Sequence, residues 1–289
     1  MRLRLSMLPL LVLSLTGLVP APPVSADLRL PRVSQSASVT QTIGLTDLTV
    51  TYSRPGVKGR VIWGGLVPYE KPWRTGANEA TTFTTTDSIR FGGRALAPGT
   101  YSLITIPGTA EWTVVLNAEK DLWGAFDYKP EKDVLRVTVH PTPAEAREWM
   151  EFAFEDLAPD AANLVLRWEK LRVAVPIVVD VNSHALTAIR AALATAKPDD
   201  WRTPRSASDF ALSNQVALDE GRTWMRSALA IQENYQTRSL EARWQMKDGH
   251  REEAIRSAQK ALALARASKE SVETGPTEKL LAEWTAKKP

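Results

Sequence analysis

Between residues 27 and 180, apolar and polar positions alternate with a period of two, in short runs broken by glycine and proline. Ser38–Ile43 and Leu48–Tyr52 read as strands. So do Thr81–Thr86, Ser88–Phe91, Thr100–Ile106, Glu111–Leu116, Val134–Val139, Glu148–Glu155, Leu164–Trp168 and Leu171–Val175. Gly92-Gly93 and Pro98-Gly99 supply turns between them. Many short strands with no long helical run among them predict an all-β sandwich of the jelly-roll or immunoglobulin-like kind. Val57–Tyr69 and Lys120–Lys132 break the alternation and predict ordered loops, the usual carriers of binding groups on a rigid scaffold.

After residue 180 the period lengthens. Alanine rises and three glycines remain, Gly221, Gly249 and Gly275. His184–Ala196 places Leu186, Ile189 and Leu193 along one side of a helix. Lys197–Ser206, with Pro198 and Pro204, predicts a break. Asp209–Ala217, Thr223–Glu233, Tyr235–Lys247, Glu252–Ala267 and Thr277–Lys287 follow as helices, the last opened by a Thr277 cap. Arg226-Ser227-Ala228 recurs as Arg256-Ser257-Ala258, an offset of 30. Together with the small residues Ala254 and Ala261, this predicts a tetratricopeptide-like helical domain over 181–289.

The first 26 residues stand apart. Arg2 and Arg4 precede a mostly apolar Leu8–Leu18, and Val24-Ser25-Ala26 fits cleavage before Asp27, as in a secretory signal peptide. The apolar run is too short to span a bilayer. The expected product is exported, periplasmic or extracellular, and soluble, with no stable membrane insertion after cleavage. Its charge is close to neutral: losing two arginines leaves 34 basic against 33 acidic side chains. No field or basic tail points to nucleic acid.

Composition narrows the chemistry further. With no cysteine, thiolate nucleophiles, disulfides and Cys-ligated metals are excluded. His140, His184 and His250 lack ligand spacing, so no metal and no cofactor are expected, and strand-end or helix-cap roles suit the three histidines. No phosphate loop or dinucleotide fingerprint is present, and no serine lies in a Gly-x-Ser-x-Gly elbow. Ten tryptophans against six phenylalanines ask for a packing or binding reason.

The candidate groups crowd one window. Arg54 and Arg60 lead into Trp63, then Trp73-Arg74-Thr75-Gly76-Ala77-Asn78-Glu79. Arg74 offers a planar fork for a carboxylate, a phosphate or a carbonyl. Asn78 can donate and accept, and Glu79 is the weak candidate for a catalytic carboxylate. Trp63, Trp73, Trp112 and Trp123 are candidate stacking faces for a sugar or another ligand with an apolar face. The competing reading is structural: an Arg–Glu pair at a tight turn holds loops, and tryptophans fill cores.

Read together, Thr51–Pro55, Gly59–Pro68, Trp73–Thr81, Leu96–Leu103, Ile106–Gly108, Glu111–Thr113, Asn117, Trp123–Tyr128 and Trp168–Lys170 resemble a secreted bacterial family. It is known as domain of unknown function 2911, and the resemblance spans roughly residues 34–178. It implies an exported β domain, sometimes followed by helical repeats, and assigns no activity, cofactor or catalytic residue. Three readings of function follow. One is a non-catalytic binding module for a small molecule or an envelope protein. Another is a hydrolase acting on a glycan or envelope polymer, with Glu79 as its carboxylate. The last is a purely structural domain.

Overall fold

A computed structural model describes residues 30–269 and 271–286. The signal peptide expected over residues 1–26 lies outside the described residues. The β region contains β1 (Gln35–Ile43), β2 (Thr46–Arg54), β3 (Thr82–Thr85), β4 (Ile89–Phe91) and β5 (Arg94–Leu96). It continues with β6 (Gly99–Pro107), β7 (Trp112–Asn117), β8 (Asp133–Val139), β9 (Thr142–Ala158) and β10 (Ala161–Val179). The larger sheet has the order β1-β2-β3-β6-β7-β8 and the smaller β5-β4-β10-β9. All the ladders between these strands are antiparallel.

The larger sheet is a meander interrupted once. β3 pairs directly with β6, while the β4–β5 hairpin between them crosses to the smaller sheet. Neither sheet closes on itself: β1 and β8 end the larger, β5 and β9 the smaller. The alternation explains the arrangement. Leu48, Val50 and Tyr52 point inward from β2 while Asp47 and Thr51 point out. Leu103, Val114 and Leu116 join them from β6 and β7, and Leu164, Leu166, Val175 and Ile177 from β10, in one shared core. β6 and β7 are buried on both faces, because Ile104 and Val115 pack outside that core against Ala80 and Leu122.

β10 does not run straight. Nineteen extended residues would span about 60 Å, yet Val179 N–H donates to the carbonyl of Asp160, just before the strand, at 2.8 Å. The strand therefore reverses. Glu169, in the left-handed region at φ 56°, marks a bulge in the ladder with β9, and its carboxylate accepts from Lys170 N–H at 2.6 Å. Arg167 and Arg172, on the two limbs, consequently reach the same Glu155 carboxylate. The two strands expected over Leu164–Trp168 and Leu171–Val175 are one continuous strand, with a register shift against β9 at Glu169.

Six helices follow among the described residues: α1 (Val181–Thr195), α2 (Arg202–Asn214), α3 (Leu218–Ile231), α4 (Tyr235–Lys247), α5 (Arg251–Ala267) and α6 (Gly275–Thr285). They form a bundle in which α2 packs on α3, and α4 on α5. One residue separates β10 from α1, and Val181 lies so close to Gly44 that a Cβ there would sit 2.7 Å from its Cγ1.

Three sequence expectations for the helices are corrected. The expected break over Lys197–Ser206 ends early, because α2 starts at Arg202. Pro204 sits in the first turn, where its missing N–H removes no helical bond. Thr277 does not open the last helix: Thr274 is the N-cap, and Thr277 is buried against Tyr235 Oη and Ser239 Oγ, each at 2.7 Å. The helix starts do not follow the offset of the Arg-Ser-Ala match. α2 and α4 begin at 202 and 235, α3 and α5 at 218 and 251, so both pairs are 33 apart rather than 30. At that offset Gly221 corresponds to Ala254 and Ala228 to Ala261, all four buried in hairpin contacts.

Candidate functional site

Trp73 is fixed from both sides. Its N–H and carbonyl pair with the carbonyl and N–H of Thr105 at 2.8 and 2.9 Å, which attaches the window to β6. Its indole enters the core, where Trp63, Trp112 and Trp168 surround it at centroid separations of 5.9, 6.5 and 5.8 Å. A buried indole removes roughly 150–250 Å² from water, worth about 4–6 kcal/mol. Trp112 is 1% exposed and offers no stacking face. Much of the tryptophan excess is packing.

The polar residues after Trp73 are spent mainly on the turn itself. Thr75 and Asn78 occupy the left-handed region at φ 55° and 59°, a conformation that costs a β-branched residue strain. Local bonds compensate. Thr75 Oγ1 donates to Trp73 O at 3.2 Å and lies within hydrogen-bond distance of Thr105 Oγ1 at 3.1 Å, and Thr75 O accepts from Thr81 Oγ1 at 2.7 Å. Asn78 Nδ2 donates to Ser34 O and Ser53 Oγ, both at 3.1 Å. Trp73 Nε1 donates to Gly76 O at 3.2 Å.

The preceding arginines are loop struts. Arg54 Nε donates to Met150 O at 2.8 Å, and its guanidinium lies 3.5 Å from Glu151. Arg60 donates to Val57 O at 3.1 Å and Gly56 O at 2.6 Å. Arg74 differs. It is half-buried, its Nε has no hydrogen-bond partner among the described residues, and desolvation holds its pKa below the ordinary arginine value. Trp63 Nε1 is likewise buried without a partner. Each such donor costs about 1–3 kcal/mol when unmatched.

Backbone pairing carries the window to an exposed loop. Thr81 N–H donates to Arg74 O at 3.1 Å, and Ala80 N–H to Leu122 O at 2.9 Å. Exposed Glu79 is thereby bridged to Trp123. Trp123 is 59% exposed and Phe126, three residues on, 91%. The loop is anchored at its far end. Asn117 Nδ2 donates to Lys129 O at 3.0 Å and Asp133 Oδ1 at 2.7 Å, while Tyr128 Oη donates to Asp133 Oδ2 at 2.9 Å. Arg136 closes the network on both Asp133 and Tyr128.

Arg74, Glu79 and Trp123 thus share one strip of paired backbone, while Trp73 and Trp112 lie inside with Trp63 half-buried against them, and Arg54, Arg60 and Asn78 hold loops. Phe126 is the aromatic that sequence reasoning passed over. Its place in Gly124-Ala125-Phe126-Asp127, among turn-forming residues with no alternating partner, was the available signal. Among the described residues, no group of three or more His, Cys, Asp or Glu could hold a metal ion, and no helix is long and apolar enough to cross a membrane.

Residues 34–177 match the family model described as protein of unknown function, DUF2911. The DUF2911 match ends inside β10 and contains the whole strip from Arg74 to Phe126, whereas the six helices lie beyond it. Comparison with curated proteins gave no match, and comparison with solved structures gave none.

Proposed function

We propose that this protein is an exported binding module of the cell envelope, non-catalytic at the strip from Arg74 to Trp123. Its β region holds a ligand with a flat apolar face and an anionic group, such as an acidic sugar, and its helices hold a protein partner. The observation carrying this reading is the exposed Trp123, backbone-bridged to Glu79 and aligned with the segment of Arg74, whose Nε is an unspent buried donor. An indole face stacks on the apolar face of a pyranose, and a partly desolvated guanidinium binds a carboxylate more strongly than one in water.

The shared core between two sheets supports a sandwich reading of the β region. The common 33-residue offset of the helix starts supports a tetratricopeptide-like reading of the tail, since helical hairpin arrays make concave partner surfaces. The charged first segment supports export. Hydrolysis at Glu79 has less support, because its side chain is exposed on the surface strip.

Calorimetric titration with glucuronate and with soluble muramyl fragments tests the ligand reading. Arg74→Ala and Trp123→Ala should each abolish the heat of binding while leaving the denaturation midpoint nearly unchanged. Binding that survives both substitutions, or no binding by any acidic sugar, contradicts it.

A further inference from the structure

His184 lies in the first turn of α1, and its two ring nitrogens face two hydroxyls of the β region. Nδ1 is 3.2 Å from Thr46 Oγ1 and Nε2 is 3.5 Å from Ser88 Oγ. Thr46 is fully buried, and its hydroxyl proton is committed: Oγ1 donates to Asp87 Oδ2 at 3.0 Å. Asp87 Oδ2 also accepts from Thr86 Oγ1 at 3.1 Å. A hydroxyl has one proton to give, so toward His184 the Thr46 oxygen accepts. Nδ1 therefore carries the ring proton, and the lone pair of Nε2 is turned to Ser88. That is the tautomer a general base needs.

Ser88 is exposed and lies on the wall of a cavity of about 440 Å³ between β4 and the start of α1. Ile89, Ala95, Val178 and Val181 give it an apolar side, and Arg90, Asp160 and Asp180 a charged one. Val181 and Asn182 line it too, and as the first two residues of α1 their N–H groups have no partner within the helix. Catalytic hydrogen bonds commonly tighten from lengths such as 3.5 Å when substrate binds.

We propose that Ser88 and His184 are a nucleophile and general base that hydrolyse small acyl esters in this cavity. The ester's acyl chain lies on the apolar side, and the first-turn N–H groups of α1 receive the oxyanion. Ser88 Oγ bonds to the acyl carbon as its proton passes to His184 Nε2. The ester C–O bond breaks and the departing alcohol takes that proton. Water then attacks the acyl-serine carbonyl, giving a proton to His184 Nε2. The carboxylic acid leaves and Ser88 recovers its proton. Thr46 and Asp87 are positioning residues, acting through the imidazole. The site is built from residues other than the Arg74–Trp123 strip and stands or falls apart from it.

Two assays on the full chain test this: p-nitrophenyl acetate hydrolysis, and labelling by a fluorophosphonate followed by mass mapping. The expected results are one adduct, on Ser88, and a loss of at least about 100-fold in kcat in both Ser88→Ala and His184→Gln. Ser88→Ala alters one exposed hydroxyl and keeps the fold, which a thermal melt verifies. Thr46→Val should lower kcat with KM unchanged, a split that general loosening of the fold would not produce. An unlabelled Ser88, or equal ester hydrolysis by the wild type and Ser88→Ala, overturns the proposal.

Discussion

Trp73 and Trp168 stack at 5.8 Å with 20° between their planes, joining the window after β2 to the fold-back of β10. Trp63 and Trp112 close round them edge-on. This cluster, rather than a ligand, accounts for the tryptophans most prominent in the sequence. Replacing either member of the stack by alanine should cost about 3–5 kcal/mol. Trp123→Ala, on the surface, should change stability by less than about 0.5 kcal/mol. Urea denaturation of the three variants checks the contrast.

The β4–β5 turn separates backbone strain from packing. Gly92 and Gly93 both have positive φ, 56° and 79°. A Cβ on Gly92 would lie 2.3 Å from Val137 Cγ1, whereas one on Gly93 meets nothing within 4 Å. Gly93→Ala should cost the left-handed penalty of about 1–2 kcal/mol. Gly92→Ala should cost about 1–3 kcal/mol more, because β8 must give way. Denaturation midpoints of the two variants measure the difference.

In the helices, two effects of opposite sign meet at Gly221. Alanine favours a helix interior over glycine by about 1 kcal/mol. A Cβ there would sit 2.7 Å from Ala211 Cβ and 2.8 Å from Trp244 Cζ2. Neither neighbour is the free end of a flexible chain, so overpacking of about 1–3 kcal/mol should win. Gly221→Ala is expected to lower the melting temperature despite its better propensity.

Tyr128 gives the exposed aromatic loop a signature in alkali. Burial pushes its phenol up to about 12 from 10.0, with the hydrogen bond and charge of Asp133 adding to the shift. A folded pKa above the unfolded one favours the neutral form in the folded state. The stability this contributes is complete below about pH 10 and is lost as pH rises through about 12. Tyr128→Phe should flatten stability across that window. Denaturant melts at stepped pH, with phenolate absorbance followed in parallel, read both.

The strand positions were legible because the alternation of Leu48, Val50 and Tyr52 survives on half-buried β2, and because β6, though buried on both faces, is bounded by the Pro98-Gly99 and Pro107-Gly108 turns. The three-residue β5 was missed: Arg94-Ala95-Leu96 is too short to show a period. The Arg226-Ser227-Ala228 match, at an offset of 30, differs from the 33-residue spacing of the helix starts because it is a match of letters. The spacing that counts is set by small buried residues such as Gly221 and Ala254. The window stood out in the sequence with the ligand and structural readings both open, and which tryptophan is interior was not legible, since Trp73 and Trp123 carry the same side chain and differ in burial. His184 looked like a helix cap, because its partners Thr46 and Ser88 are distant in sequence and only the tertiary fold brings them together.

The central claim is that ligand meets the Arg74–Trp123 strip and not the interior indoles. Side-chain N–H resonances of the tryptophans and of Arg74 Nε, followed by two-dimensional NMR during titration with a muramyl fragment, test it most directly. The account predicts saturable shifts of the Trp123 indole and of Arg74 Nε–H, with Trp73, Trp112 and Trp168 unmoved. Shifts confined to the interior indoles, or no shift at Trp123 and Arg74 at saturating ligand, would contradict it.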